Sequence, residues 1–433
     1  MFCNQLITTI WLWLCHTLVR SYRSVAFIVA VATTTIIYLL LHLIIMSLST
    51  NISSPKQLRY GVAAFFFVSG FGFASWASRI PTLQQKLHLN DAELGTALFA
   101  APLGLILTLP ITGIFLQKYS SRSIMLIGSI LYNLLLFSLG FVTNNWQFMG
   151  VLFLFGISRN MMNIPVNTQA VGVQKLFPKS IISTFHGIWS VSGFAAAAVG
   201  GWMISKDITP AWHFFMVGVL CMIIMSMAFK HTVQNDVKKI EATDTKTSWF
   251  NLPDRALLKI GLIAFACMAC EGIMYDWSGI YFQKIVNAPK ALLAMGYIAF
   301  MSAASTGRFL GDWMINKIGT KKVLQTCSCL IAIGLSLSIS FPFVIPATIG
   351  FVFVGLGVSC IIPLTMALAG RSSTRSPGVA IASVSTVSYL GFLLGPPIIG
   401  YVAEIANLRW SFSLGLFMAL GMFVLVTKMK IKG

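Results

Sequence analysis

The chain has 433 residues, of which 57% are hydrophobic and only 9% charged. That charged share is far below the roughly one quarter of a soluble domain, so most of the surface must face lipid or other protein. The formal net charge of +19 comes from 30 Lys and Arg against 11 Asp and Glu. These basic residues stand singly or in pairs between apolar runs and form no soluble basic module, which excludes nucleic acid as a partner and marks them as topology signals.

In chain order, residues 1–55 form a hydrophobic extension. Residues 25–48 are apolar enough to span, yet Arg20 and Arg23 before them and Lys56 and Arg59 after them ask for the same side. Three readings stand: a pair of short hydrophobic segments, a leader, or a start codon placed too early. The polar stretch from Met46 to Lys56 favours Met46 as the natural start.

Twelve spans follow, at about 60–78, 92–112, 123–143, 146–166, 181–204, 211–229, 257–279, 291–310, 322–341, 344–366, 379–403 and 411–427. Each apolar run is long enough to cross a core of about 30 Å as a helix, and none alternates as a strand would. The predicted organisation is an N-terminal six-helix bundle over 56–230, a polar linker over 231–256 and a C-terminal six-helix bundle over 257–433. Twenty-one Lys and Arg fall on the side of both ends of this unit; Arg79, Lys86, Lys206, Lys284, Lys290 and Arg409 fall on the other. The bias predicts cytoplasmic ends.

The halves repeat. Gln117-Lys118 matches Asn316-Lys317 at a shift of 199, while Ile164-Pro165 matches Ile362-Pro363, Gly193-Phe194 matches Gly391-Phe392 and Trp212 matches Trp410 at 198. Equal shifts with six spans per half predict two parallel repeats about an axis along the membrane normal. Gly395-Pro396-Pro397 and Pro165 are expected to bend their spans.

Eleven acidic residues leave little choice for intramembrane chemistry. Most fall in loops or at the ends of spans and read as solvated; Glu271 and Asp276 lie in the seventh span. A carboxylate at bilayer depth costs several kcal/mol unless paired or neutral, so both are functional candidates. At about 100° per residue Glu271, Tyr275 and Ser278 share one face, and Asp276 points away from it toward the outer water. Glu271 is the expected proton carrier or solute ligand, against a structural ion pair as the alternative.

Arg159, Asn163 and Asn167 form one stripe of the fourth span. An Arg159–Glu271 pair is conceivable, as is an Arg grip on a carboxylate or phosphate of the solute, or simple stitching of helices. His186 and Trp189 project to one side of the fifth span, the histidine serving proton transfer or a hydrogen-bonded hinge. Trp76 and Trp277 occupy equivalent places, at a shift of 201, and suit either sugar stacking or, more readily, interface anchoring.

Cys267-x-x-Cys270 reads as small packing residues, since no second Cys or His pair accompanies it to hold a metal. No cofactor is expected, and no nucleophile–base or phosphate-loop motif points to an enzyme.

The segment Gly113 to Arg122, with Lys118, and its copy Gly307-Arg308-Phe309-Leu310-Gly311-Asp312, continuing through Lys317, Gly319 and Lys321, resemble the loop signature of the major facilitator superfamily. In the first copy Gln117 replaces the acidic residue and Ser120 the glycine. Ala77-Ser78-Arg79-Ile80-Pro81, Phe185-His186-Gly187, Glu271-Gly272 with Asp276-Trp277-Ser278, and Tyr389 through Pro397 are similar to the fucose-permease-like subgroup of bacterial inner-membrane permeases.

The resemblance implies an all-α, twelve-span bundle, with the two loop segments acting as gating latches. It further implies a monomer in the bacterial inner (plasma) membrane that carries a small polar solute, sugar-like or a related metabolite, by alternating access. The coupling ion would be a proton or another ion. A proton-driven drug or metabolite exporter and a transport-inactive membrane sensor are the alternatives.

Overall fold

The computed structural model describes residues 53–178, 181–234, 254–371 and 377–429. The hydrophobic extension with Met46, and most of the polar linker, lie outside the described residues. Among the described residues there are thirteen α-helices: α1 (Pro55–Ser78), α2 (Ile80–Leu87), α3 (Asp91–Lys118), α4 (Ser121–Ser138), α5 (Asn145–Gln174), α6 (Ile182–Ser205), α7 (Pro210–Ala228), α8 (Arg255–Lys284), α9 (Met295–Ile318), α10 (Thr320–Ser340), α11 (Val344–Gly370), α12 (Pro377–Ile405) and α13 (Leu408–Lys428).

Several helix starts are written in polar caps. Asn90 accepts from the Glu93 amide at 2.8 Å while the Glu93 carboxylate accepts from the Asn90 amide at 2.9 Å, closing a capping box on α3. Asn144, Thr209 and Asp254 accept from first-turn amides of α5, α7 and α8. Each predicted span has its helix. Some helices, α3, α5 and α8 among them, outrun their apolar runs because polar caps set their starts, whereas α4 ends at Ser138, short of its run. The short α2 after Arg79 was not anticipated; Pro81 at its start presets the backbone for a helical turn.

Eleven of the described helices are long and apolar enough to cross a membrane. The exception among the predicted spans is α9, which is long enough at 24 residues but carries Arg308 and Asp312 within it. The helices run through Pro165, Pro363, Pro396 and Pro397 rather than ending there.

The repeat is visible in the packing. In the first half α1 packs on α6, and α3 and α4 pack on α5; in the second, their counterparts α8 on α12, and α9 and α10 on α11, make the same pairs. The halves meet where α3 lies on α12 and α6 lies on α9, which are again counterparts exchanged by a two-fold relation.

The halves are tied together at the face that carries α2. Lys284 of α8 pairs with Asp91 of α3 at 2.7 Å. The Asp91 amide donates to Glu404 of α12 at 3.0 Å, and Lys290 pairs with Asp207. Thr96 donates to Tyr401 at 3.3 Å. Asp91, expected to be solvated at the start of its span, is 8% exposed and also accepts from Gln84 at 2.8 Å. At the start of α2 Arg79 is 1% exposed, donating to His213 at 3.0 Å and to the Ile208 carbonyl at 2.8 Å. Burial lowers the Arg79 guanidinium to about 10, which leaves it cationic at neutral pH.

Two glycines permit the α3–α12 contact. A Cβ on Gly400 would stand 2.4 Å from the Asp91 carbonyl and 2.9 Å from the Gly95 Cα, both backbone atoms that cannot turn aside. Gly400→Val is therefore expected to cost this arrangement about 1–3 kcal/mol by overpacking. Spin labels on the exposed Gln85 and Ala406 would report it as a lengthened inter-half distance; an unchanged distribution would contradict the assignment of this contact as the closure.

Candidate solute site between the two halves

Phe73, on α1 and 4% exposed, is the hub of the interior. The Arg159 guanidinium carbon lies 4.0 Å from its ring centre. Tyr275 of the other half meets the same ring edge-on at 5.3 Å, and Trp189 stacks on it at 6.3 Å. A cation over an aromatic face is held by the ring quadrupole, so Arg159 is oriented without spending its hydrogen-bond donors.

Glu271 sits one turn before Tyr275 on α8 and is 8% exposed. It accepts from the Tyr275 hydroxyl at 2.8 Å and from Arg308 of α9 at 3.1 Å. The other arm of Arg308 donates to Ser190 of α6 at 2.8 Å, across the divide between the halves. Glu271 is thus joined to Arg308, not to Arg159. The sequence placed Arg308 in a loop latch because its motif belongs to one; α9 carries it thirteen residues past Met295, inside the bundle. Ser190 in turn donates to the His186 carbonyl at 3.1 Å, one turn earlier.

Asp276 does not face the outer water. It lines a cavity with Arg159, walled by Phe73, Trp76, Phe155 and Phe392 and floored by Leu98, Ala101, Pro102 and Leu105 of α3. Five residues apart, Glu271 and Asp276 point about 140° from one another on α8, and this separates two interior sites, one paired and one open, because most of α8 is buried. The two open charges come from opposite halves and are too far apart to form an ion pair.

The other candidates divide. Asn163 accepts from Ser69 at 2.7 Å, and the exposed Asn167 donates to the Asn163 carbonyl at 2.8 Å, so these amides are engaged within their own half. His186 is exposed and meets Phe66 edge-on. Trp277 is fully buried and Trp76 is 3% exposed, which corrects the interface-anchor reading. One residue past Asp276, Trp277 turns into packed protein rather than toward lipid.

Of the latch residues, Arg122 lies over Phe229 at 4.3 Å, Lys317 over Trp313 at 4.8 Å, and Gly311 packs near Cys360. Gly319 adopts φ 81° at the end of α9, a left-handed turn that glycine makes without strain. Gly113 has open space, Lys118 ends α3, and the Asp312 side chain lies outside the described residues.

The profile of the Major Facilitator Superfamily matches residues 62–344 and 287–430. An uncharacterised MFS-type transporter of Yersinia pestis is 30% identical over 347 residues, covering 80% of this chain and 89% of that protein. The membrane protein MosC of Rhizobium meliloti is 28% identical, covering 82% and 86%. Among solved structures, the nucleoside transporter NupG superposes with a TM-score of 0.68 at 14% identity, over 86% of this chain and 97% of that one. A bacterial homologue of the human lysosomal transporter Spinster, inward-facing and unoccupied, does so at 0.65 with the same identity and coverage. At such identity the superpositions establish the fold alone.

Removing one member of a partly buried pair leaves the other charge uncompensated. Glu271→Gln and Arg308→Gln are each expected to lower stability, and the double substitution to cost less than their sum by about 1–3 kcal/mol. Thermal unfolding of the four proteins in detergent closes the cycle; strict additivity would show that the contact carries no coupling.

Proposed function

The chain belongs to the major facilitator superfamily, and on that footing we propose that it is a proton-coupled secondary transporter of a small polar solute, working by alternating access. It is a transport protein and not an enzyme. The observation that carries the reading is the cavity between the halves, where Arg159 and Asp276 stand unpaired beneath a face closed by Asp91, Lys284 and Glu404.

The Lys and Arg bias supports placing both ends of the twelve-span body in the cytoplasm, and we take the protein to be a monomer in the bacterial inner membrane. In that orientation the closed face is external. Separation of Asp91 from Lys284 and Glu404 then accompanies outward opening.

Glu271 suits the proton step because its charge is what holds Arg308, and Arg308 also holds Ser190 of the opposite half. Protonation removes that charge and weakens the hold, linking proton binding to movement of the halves. Asn163, Asn167 and His186 are then secondary contacts along the path, and Lys118, Arg122, Lys317 and Asp312 the latch residues. The exporter reading has one support of its own, 20% identity over 84% of this chain to multidrug resistance protein 2 of Bacillus subtilis.

Proteoliposomes with an imposed proton gradient and an internal pH dye test the proposal. Addition of a transported solute from a broad panel should alkalinise the side from which protons move, and Glu271→Gln should abolish gradient-driven accumulation while sparing solute exchange. Gradient-driven expulsion would assign the exporter. Folded protein that moves no panel member would remove the transport reading.

A further inference from the structure

Charge balance in the cavity narrows the solute. Its lining contains one cation, Arg159, and one carboxylate, Asp276, and the rest is aromatic or aliphatic apart from glycine and proline. Among the described residues no acceptor takes the Arg159 guanidinium and no donor reaches the Asp276 carboxylate, in contrast to Glu271 a turn away, which has two. Phe73 supports the Arg159 plane from one side, so its edge remains available for a carboxylate, the group its paired donors match best.

Taking an ion out of water is costly unless a counter-charge replaces the water. An anion would satisfy Arg159 and leave Asp276 facing it without a partner. A cation would do the reverse. A sugar or nucleoside supplies hydroxyls but no charge to either. Only a molecule with both signs pairs every charge present while the complex stays neutral.

We propose that the site takes a small zwitterion of the amino-acid kind. In this conformation the cavity encloses only about 20 Å³, room for about one water molecule, so the solute is seated as the halves part: its carboxylate binds Arg159, its ammonium binds Asp276, and an apolar or aromatic side chain is directed toward Phe155 and Phe392. Because the two charged residues belong to opposite halves, the same solute bridges them and favours closure around itself. The assignment rests on the transport reading above and specifies the solute class for it.

The test is equilibrium binding to the full-length protein in nanodiscs, by calorimetry. L-phenylalanine and L-leucine are the zwitterions, 3-phenylpropanoate the anion, phenethylamine the cation, and uridine and glucose the uncharged solutes. The zwitterions should bind at least tenfold more tightly than either single-charge analogue. Arg159→Gln should erase the advantage over phenethylamine, and Asp276→Asn the advantage over 3-phenylpropanoate, with helical circular dichroism unchanged.

The wild-type comparison stands by itself if either variant fails to fold. Failure of every zwitterion to bind, or a preference that survives both substitutions, overturns the proposal. If uridine or glucose binds and is carried in proteoliposomes while zwitterions do neither, the solute class falls and the transport reading stands. If nothing is carried, both fall.

Discussion

A carboxylate inside a helix bundle loses the water that stabilises its charge, at a cost of several kcal/mol, and the protein must return a partner of comparable strength. Glu271 receives two, the Tyr275 hydroxyl and the Arg308 guanidinium. Tyr275 is supplied by helical periodicity, one turn along α8. Arg308 is supplied by tertiary packing of α9, and it can serve only because its other arm finds Ser190 on α6. The positions of three helices from two halves are therefore coupled to the ionisation of one side chain.

The repeat gives that coupling a mechanical frame. Counterpart helices make counterpart contacts in each half, and the two contact zones between halves, α3 with α12 and α6 with α9, are equivalent under exchange. Such a pair of zones permits one half to rock on the other while each keeps its own packing. The closed face is bound by small-residue backbone contact at Gly95 and Gly400 together with ion pairs at Asp91 and Lys290. Backbone contact gives the face its shape, and the ion pairs, lying near water, add modest and breakable strength. That combination suits a gate better than a dry apolar seam would.

The spans were legible because a bilayer demands long continuous apolar runs, and the parallel repeat because Pro165 and Pro363 or Trp212 and Trp410 recur at a fixed shift. The i to i+4 relation of Glu271 and Tyr275 was legible for the same reason, being local to one helix. Partners contributed by other helices were not. Arg308 carried a loop-like motif that pointed outward, and only the extension of α9 through Ile318 reveals it as an interior residue. Asp276 was misread because an angle on a helical wheel separates two faces without saying that both are covered. Trp76 and Trp277 illustrate the same gap, since an indole near the end of a span satisfies lipid or protein equally well in sequence. Asp91 read as a solvated cap residue, and its burial depends on Gln84 of a helix with no strong sequence signal.

The asymmetry of charge between the halves has its own consequence. Glu271 and Asp276 both belong to α8, whereas Arg159 belongs to α5 and Arg308 to α9. Glu271 and its Arg308 partner move together within the second half, so rocking leaves their distance nearly unchanged. Arg159 and Asp276 lie on different halves, so rocking alters theirs. A Coulomb interaction scales inversely with distance and is worth about 4 kcal/mol at 4 Å in partly wet protein. The open pair is therefore the one whose energy responds to conformation, and the closed pair is the one whose energy responds to a proton. In the proposed proton-coupled transporter, keeping these two sensitivities on separate residues of a single helix, with Phe73 touching both Arg159 and Tyr275, would let solute and proton act on one movement without competing for one charge.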